Sequence, residues 1–200
     1  PLSHINIVYF HNDKSDLVRV EDASIMDAFS VLKTDIERLT DGCYLLELTS
    51  ELTREGQPLP AAYHSLVAFL KLLESGAGQE ALRFFEVKLL DQSGYLPHLT
   101  GCLSCRTTAE GERLYFSSAK GGLVCRACSS GITGLIPVSP ATAALLAMAA
   151  RLEPEKLSRL KPGPAFLDES ERLLYDFIKF QLGKELKTKR FMAKLRSAGA

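Results

Sequence analysis

An excess of charge of either sign is missing from this chain: 24 basic residues cancel 24 acidic ones across 200 positions. Whole-molecule electrostatics therefore offers no attraction to nucleic acid, and any such affinity must come from how the charges are distributed. Long apolar runs are missing too. None approaches the ~18 uninterrupted residues of a membrane span, and the opening "PLSHINIVYFHNDKSD" lacks the basic-then-apolar layout of a secretory signal. No membrane association and a cytoplasmic location are the resulting expectations. The sequence holds no nucleophile elbow, no phosphate-binding glycine loop and no HExxH-like pair, so an enzymatic role has no positive support. Internal repeats and low-complexity segments are absent as well. The hydrophobic content of 46% suffices for one substantial core or two modest ones.

The first runs, "INIVYF" and "LVRVEDA" around the polar "HNDKSD", read as a β-hairpin over residues 5–20. Two strands alone are marginal in water, so the hairpin needs a further sheet or a helical surface. From Asp22 the period changes: Ile25, Phe29, Leu32, Ile36 and Leu39 share one face and predict a first helix. "CYLLELTSEL" predicts a second. "AAYHSLVAFLKLLESG" runs from Pro60 to Gly76 and "GQEALRFFEVKLLDQSG" to Gly94, with proline at a start and glycine past an end. Short loops between these four segments imply an antiparallel bundle. Helices resume after Pro137. Ser139 caps "PATAALLAMAARL", and Asp168 with Glu171 resembles a capping box ahead of "SERLLYDFIKFQLGKEL", whose Leu174, Phe177, Ile178 and Leu182 face inward.

Between Pro97 and Pro137 the bundle pattern is interrupted by "CLSCRTTAEGERLYFSSAKGGLVCRACSSG", which holds four of the five cysteines. Cys102 and Cys105 form one Cys-x-x-Cys pair, Cys125 and Cys128 another, with 19 residues between the pairs. That spacing suits two zinc knuckles joined by a hairpin, in which "RLYF" and "GGLV" are the strands and Gly121 and Gly122 allow a tight backbone. Four thiolates complete a tetrahedral zinc site and leave no position for water or substrate, so one Zn2+ here is structural. The alternatives are two redox-active pairs, disfavoured because neither follows a strand in a βαβ pattern, and cysteines that merely pack. Cys43, in an apolar helical run, reads as a small buried hydrophobe. His98 is near the first pair, but the thiols already complete the site.

Charge is unevenly spread. Acids such as Glu21, Asp22, Asp27, Asp35, Glu37, Asp41 and Glu47 gather near the front, whereas "GKELKTKRFMAKLRS" sets Lys184, Lys187, Lys189, Arg190, Lys194 and Arg196 against Glu185 alone. Lys184, Lys187, Lys189, Arg190 and Lys194 are the best candidates for DNA phosphate contact. The alternative is a solvated helix end whose cations complement the helix dipole. Phe191, between them, has the chemistry to stack on a base, although docking into the core is the expectation. Arg106, Arg113, Lys120 and Arg126 form a weaker patch diluted by Glu110 and Glu112. Tyr9, Phe10, His11, Lys14 and Arg19 mix aromatic and basic groups on the hairpin.

The order of these pieces resembles the bacterial RecO family of DNA repair proteins. The resemblance runs from Val18 to Met192 through "CYLLELTSEL", "ALRFFEVKLLDQSGYLPHLTGCLSC", "FSSAKGGLVCRAC" and "YDFIKFQLGKELKTKRFM". Its most specific stretches are "FEVKLLDQSGYLPHLTGC" and "GGLVCRAC". It implies a non-catalytic mediator of DNA recombination after DNA damage. Such a protein binds single- and double-stranded DNA, anneals complementary strands, and cooperates with RecR and single-stranded DNA-binding protein to load recombinase at the nucleoid. The resemblance also implies an OB-fold, a helical region and a zinc module. The expected fold is therefore mainly α: a helical bundle with an inserted four-cysteine zinc-ribbon-like module and an N-terminal β-hairpin left over from an OB-fold. Its units are 1–20, the C-terminal part of the OB-fold; 21–97, the first part of the helical domain; 98–136, the zinc-binding module; and 137–200, the second helical part with its basic C-terminal helix. The first three OB strands have no counterpart, so missing upstream sequence is the expectation, while the start at Pro1 by itself fits either that or simple Met removal. A zinc-stabilised interaction scaffold with little intrinsic DNA binding is the alternative, and a zinc enzyme a third class.

Overall fold

A computed structural model describes residues 2–12, 17–108 and 113–198, so Lys14, Glu110 and Glu112 lie outside the described residues. Strands β1 (His4–His11) and β2 (Val18–Asp27) pair antiparallel. β2 occupies part of the stretch where a first helix was predicted. Asp22, Ala23, Ser24 and Ile25 lie opposite Val8, Ile7, Asn6 and Ile5, so pairing with a distant strand overrides a helical period. Of the supposed helical stripe, only Phe29 and Leu32 are buried, around a 3-10 turn at Val31–Thr34.

Helix α1 (Ile36–Leu52) opens at Asp35, whose side chain accepts from Arg38 N, and "CYLLELTSEL" is its second half, not a separate helix. Helices α2 (Pro60–Glu74) and α3 (Gln79–Gln92) follow, α2 beginning at the proline and ending just before the glycine that marked it in the sequence. α3 is the central helix. Every residue from Ala81 to Leu90 is buried, and α1, α2, α4 and α6 pack around it. A helix enclosed on all sides buries its charged positions as well, here Arg83, Glu86 and Lys88.

The cysteine segment contributes β3 (Leu114–Ser117) and β4 (Gly122–Val124), as anticipated, and also β5 (Ile136–Val138); the order is β4-β3-β5. β5 gave no sequence signal, being three residues long with Pro137 in the middle, a residue that only an edge strand accommodates. The sheet docks on the body through Phe116, whose ring meets Phe177 edge-on at 5.6 Å, and through Ser118 Oγ, which donates to Asp176 Oδ2 at 2.6 Å.

Helix α4 (Pro140–Arg151) is capped by Ser139 Oγ, which accepts from Thr142 N, and the short α5 (Pro154–Leu157) follows. Lys88 Nζ donates to the carbonyl of Leu152 at 2.8 Å, just past the end of α4, where a cation complements the helix dipole. α6 (Pro164–Leu182) begins at Gly163 and Pro164. Asp168 is thus already inside the helix, bridging to Arg172 at 2.6 Å, and the expected capping box does not form. Gly183, at φ 66, stops α6, and the basic tail becomes a separate helix, α7 (Lys187–Ala198), packed against α1. Buried residues from both sides of the cysteine segment form one hydrophobic core.

Candidate functional site

The two Cys-x-x-Cys turns meet at the end of the small sheet. The four Sγ atoms of Cys102, Cys105, Cys125 and Cys128 lie within 4.8 Å of one another. Cys105 Sγ and Cys125 Sγ are 3.7 Å apart. A tetrahedral centre with metal–sulfur bonds of ~2.3 Å has sulfur–sulfur edges of about 3.8 Å, so the thiols are already spaced as ligands. The first turn closes through Arg106 N to Cys102 O at 2.8 Å and Cys102 N to Thr107 O at 3.0 Å, with Arg106 in the left-handed region at φ 61. The second closes through Cys128 N to Cys125 O at 3.1 Å. Leu103 N donates to Leu123 O and His98 pairs with Gly122, which holds the first turn against β4.

Electrostatics at the cluster favours a bound cation. Burial works to raise the Cys102 thiol, but backbone N–H groups of Cys105, Cys125 and Ser104 outweigh it and bring the thiol down to about 6. Thr107 lowers Cys105 through its side chain and backbone. Cys128, crowded by the other three sulfurs, is pushed up to about 12. A metal ion held by these residues would remove that conflict by taking all four as thiolates. Because four thiolates fill a tetrahedral centre, the site can organise the chain but offers no position for a reacting water. Cys43 is half-buried in α1, away from this cluster.

The second candidate is the basic tail, and the structure divides its cations into two groups. Lys189 points inward: its side chain is 8% exposed, with Nζ 3.8 Å from Glu86 Oε1, 3.7 Å from Glu171 Oε1 and 4.7 Å from the centre of the Tyr44 ring. The sequence offers Lys189 as a candidate for phosphate contact, but α7 presents that position to the body, where its ammonium faces Glu86 and Glu171. Burial lowers the Lys189 pKa, opposed by Glu86. Lys184 bridges to Glu51 at 2.7 Å and Arg196 to Glu171 at 3.2 Å. Lys187, Arg190 and Lys194 are exposed, and among the described residues their side chains form no ion pair.

Phe191 stands 44% exposed in the same helix and outside the core cluster, contrary to the expectation that it docks inside. Elsewhere, Arg19 lies 5.8 Å over the Phe10 ring on the hairpin, where Tyr9 and Phe10 are exposed. Arg106, Lys120 and Arg126 are exposed around the cysteine module.

Several residues that set this geometry were not singled out as site residues in the sequence. Glu47 on α1 accepts from Lys187 N and from Thr188 N, both at 2.9 Å, and from the Thr188 hydroxyl, so an acid of the front half caps the tail helix. Burial opposes, but these hydrogen bonds hold the Glu47 pKa below its ordinary value. Behind α7, Arg83 Nη2 lies 2.7 Å from Glu86 Oε1, and Tyr44 donates to the same carboxylate at 2.5 Å. The available signal was charge inside an apolar run, "LRFFEVKLL", with Arg83 and Glu86 at the i, i+3 spacing of one helix face.

These features define a helical protein with an inserted four-thiol metal-type centre and a docked basic C-terminal helix. No described helix is long and apolar enough to cross a membrane. The chain belongs to the RecO family of DNA repair proteins: residues 33–190 match the family described as "Recombination protein O C terminal". It is 32% identical over 176 residues to the DNA repair protein RecO of Desulforamulus reducens, covering 88% of this chain and 69% of that protein. To the DNA repair protein RecO of Syntrophus aciditrophicus it is 29% identical over 203 residues, 100% of this chain and 78% of the relative. With that of Alkaliphilus metalliredigens the figures are 31% over 186 residues, 92% and 74%.

Proposed function

We propose that this chain is a non-catalytic mediator of DNA repair and recombination. It binds single- and double-stranded DNA, anneals complementary strands, and cooperates with RecR and single-stranded DNA-binding protein to load recombinase. Such a role belongs in the cytoplasm at the nucleoid. The observation that carries the DNA-binding part is the contrast within the tail: Lys184, Lys189 and Arg196 face protein carboxylates, while Arg190 and Lys194 face solvent with no ion pair among the described residues, and Lys187 is exposed with the helix-capping Glu47 carboxylate near it. Membership of a family of DNA repair proteins supports the biological setting. Lys184 is a secondary contact, since it must leave Glu51 to reach a phosphate, and Lys189 acts from inside by holding α7 in place.

In this proposal the β1–β2 hairpin, which runs on to Asp27 rather than ending at 20, is part of an OB-fold, 28–97 and 137–200 form the helical body, and 98–136 form a module closed by one structural Zn2+ on Cys102, Cys105, Cys125 and Cys128. Thiolate ligands in a tetrahedral set favour zinc among the common divalent ions.

The test is fluorescence anisotropy of labelled DNA against the chain at several salt concentrations. Each phosphate neutralised adds roughly 0.7 to the log–log salt slope on single strands and 0.9 on duplex. A Lys187→Ala, Arg190→Ala, Lys194→Ala variant neutralises three fewer phosphates and should therefore flatten the single-strand slope by about 2. An unchanged affinity and slope would remove DNA from α7. An interaction scaffold is the second reading, favoured by a groove of about 480 Å³ with Val67, Ala68, Leu72 and Pro154 in its wall beside the polar His64, Lys71 and Glu155; wild-type protein that fails to bind DNA at low salt would support it.

A further inference from the structure

We infer that Phe191 is a base-stacking residue that makes the α7 face select single-stranded over double-stranded DNA. This rests on α7 meeting DNA as proposed above and adds what the cations alone do not supply, a means of telling unpaired bases from a duplex.

The argument starts from the helical period. At 3.6 residues per turn, Lys187 lies one turn before Phe191 and Lys194 just under one turn after it. The face opposite carries Lys189 and Met192, both buried, so the stripe of Lys187, Arg190, Phe191 and Lys194 is the one α7 turns to solvent. Phe191 is 44% exposed. Among the described residues its ring meets no aromatic or cationic partner, and it is not among the side chains packed on the core. A lone apolar ring is unremarkable at a surface. A lone ring among exposed cations, of which Arg190 and Lys194 form no ion pair among the described residues and Lys187 has near it the Glu47 carboxylate that caps the helix, is an arrangement by which single-strand binders hold phosphates and stack the adjoining base. In a duplex the bases already stack on each other and present only their edges, so the same ring gains nothing there.

The experiment compares the whole chain with Phe191→Ala, Phe191→Trp and the triple cation variant on three ligands: oligo(dT), duplex of the same length, and an abasic strand with the same phosphates. Phe191→Ala should weaken oligo(dT) binding about fivefold or more, leave duplex and abasic-strand binding within about twofold, and lower the melting temperature by no more than about 2–4 °C, since the ring is 44% exposed. Phe191→Trp should retain oligo(dT) affinity. The stacking role is overturned if Phe191→Ala leaves oligo(dT) binding intact, or weakens all three ligands equally. In either case the triple cation variant still reports on α7: its loss of binding would keep DNA on the helix by phosphate contact alone, and its indifference would take DNA off the helix altogether.

Discussion

Lys189 Nζ stands 3.8 Å from Glu86 Oε1, joining the C-terminal helix to the central one through two side chains that water barely reaches. The pair belongs to an interior network that also includes Arg83, Tyr44 and Glu171. Two cations and two carboxylates balance formally, although among the described residues Arg83 Nε, Nη1 and Nη2 and Glu86 Oε2 have no partner of hydrogen-bond geometry. Breaking a buried pair strands a charge, whereas trimming an exposed lysine does not.

Lys189→Ala is therefore expected to destabilise the chain by about 3 kcal/mol, the lower end for a broken buried pair because Glu86 keeps Arg83. Lys194→Ala should change stability by less than about 0.5 kcal/mol. Urea unfolding of both variants checks this. Equal midpoints would mean that Lys189 is in fact a surface cation.

Asp41 gives a pH dependence of unusual sign. Burial raises its carboxyl to about 6 from an ordinary 3.8, against the attraction of Lys189, Arg83 and Arg196 and with a small push from Glu37. Between those values the folded chain keeps a proton that the unfolded chain has released, so this group favours folding at low pH, and its contribution is lost as pH rises through 6. Asp41→Asn should stabilise the protein by about 1–3 kcal/mol near pH 7.5 and by almost nothing near pH 3.5, where both side chains are neutral. Melting curves across that range decide it. A gap independent of pH would mean that Asp41 ionises normally in the fold.

What was readable in the sequence was what depends on near neighbours. Cys102 and Cys105 close one short turn, Cys125 and Cys128 another, and thiols with that spacing have few other uses. Ser139 capping α4 and Pro60 opening α2 are equally local. What was not readable needed a distant partner. Ile25 fits a helical stripe with Phe29 and Leu32, yet is held in β2 by pairing with Ile5. Lys189 read as a DNA-contacting cation and Phe191 as a core residue, and only the docking of α7 on α1 turned the first inward and left the second exposed. Glu47 counted as one of many front-half acids until α7 began upon it.

The cysteine cluster should carry one zinc per chain by elemental analysis, and Cys102→Ser with Cys125→Ser should release it. Metal binding is coupled to folding of the module, and a loss of ~2–3 kcal/mol in a chain of this size lowers the melting temperature by roughly 5–10 °C. Zinc-free wild-type protein with four thiols that titrate freely without chelator would refute the zinc assignment.

Gly122 supplies a way to disturb the same centre without touching a ligand. A Cβ built there would lie 2.7 Å from both His98 Cβ and His98 O and 2.8 Å from Leu103 Cδ1. His98 O already accepts from Leu123 N, so the backbone of the first turn has little room to withdraw. Gly122→Ala must therefore push the His98–Leu103 segment away from β4, and Cys102 and Cys105 move with it while Cys125 and Cys128 stay with β4. Overpacking of this kind costs about 1–3 kcal/mol, and because it falls on the relative position of the two ligand pairs it should appear first as faster loss of zinc to a competing chelator. The body, joined to the sheet through Phe116 and Phe177, should keep its helical circular dichroism. Zinc retention equal to wild type would mean that the first turn is free to move and that the His98–Gly122 contact does not set the spacing of the thiols.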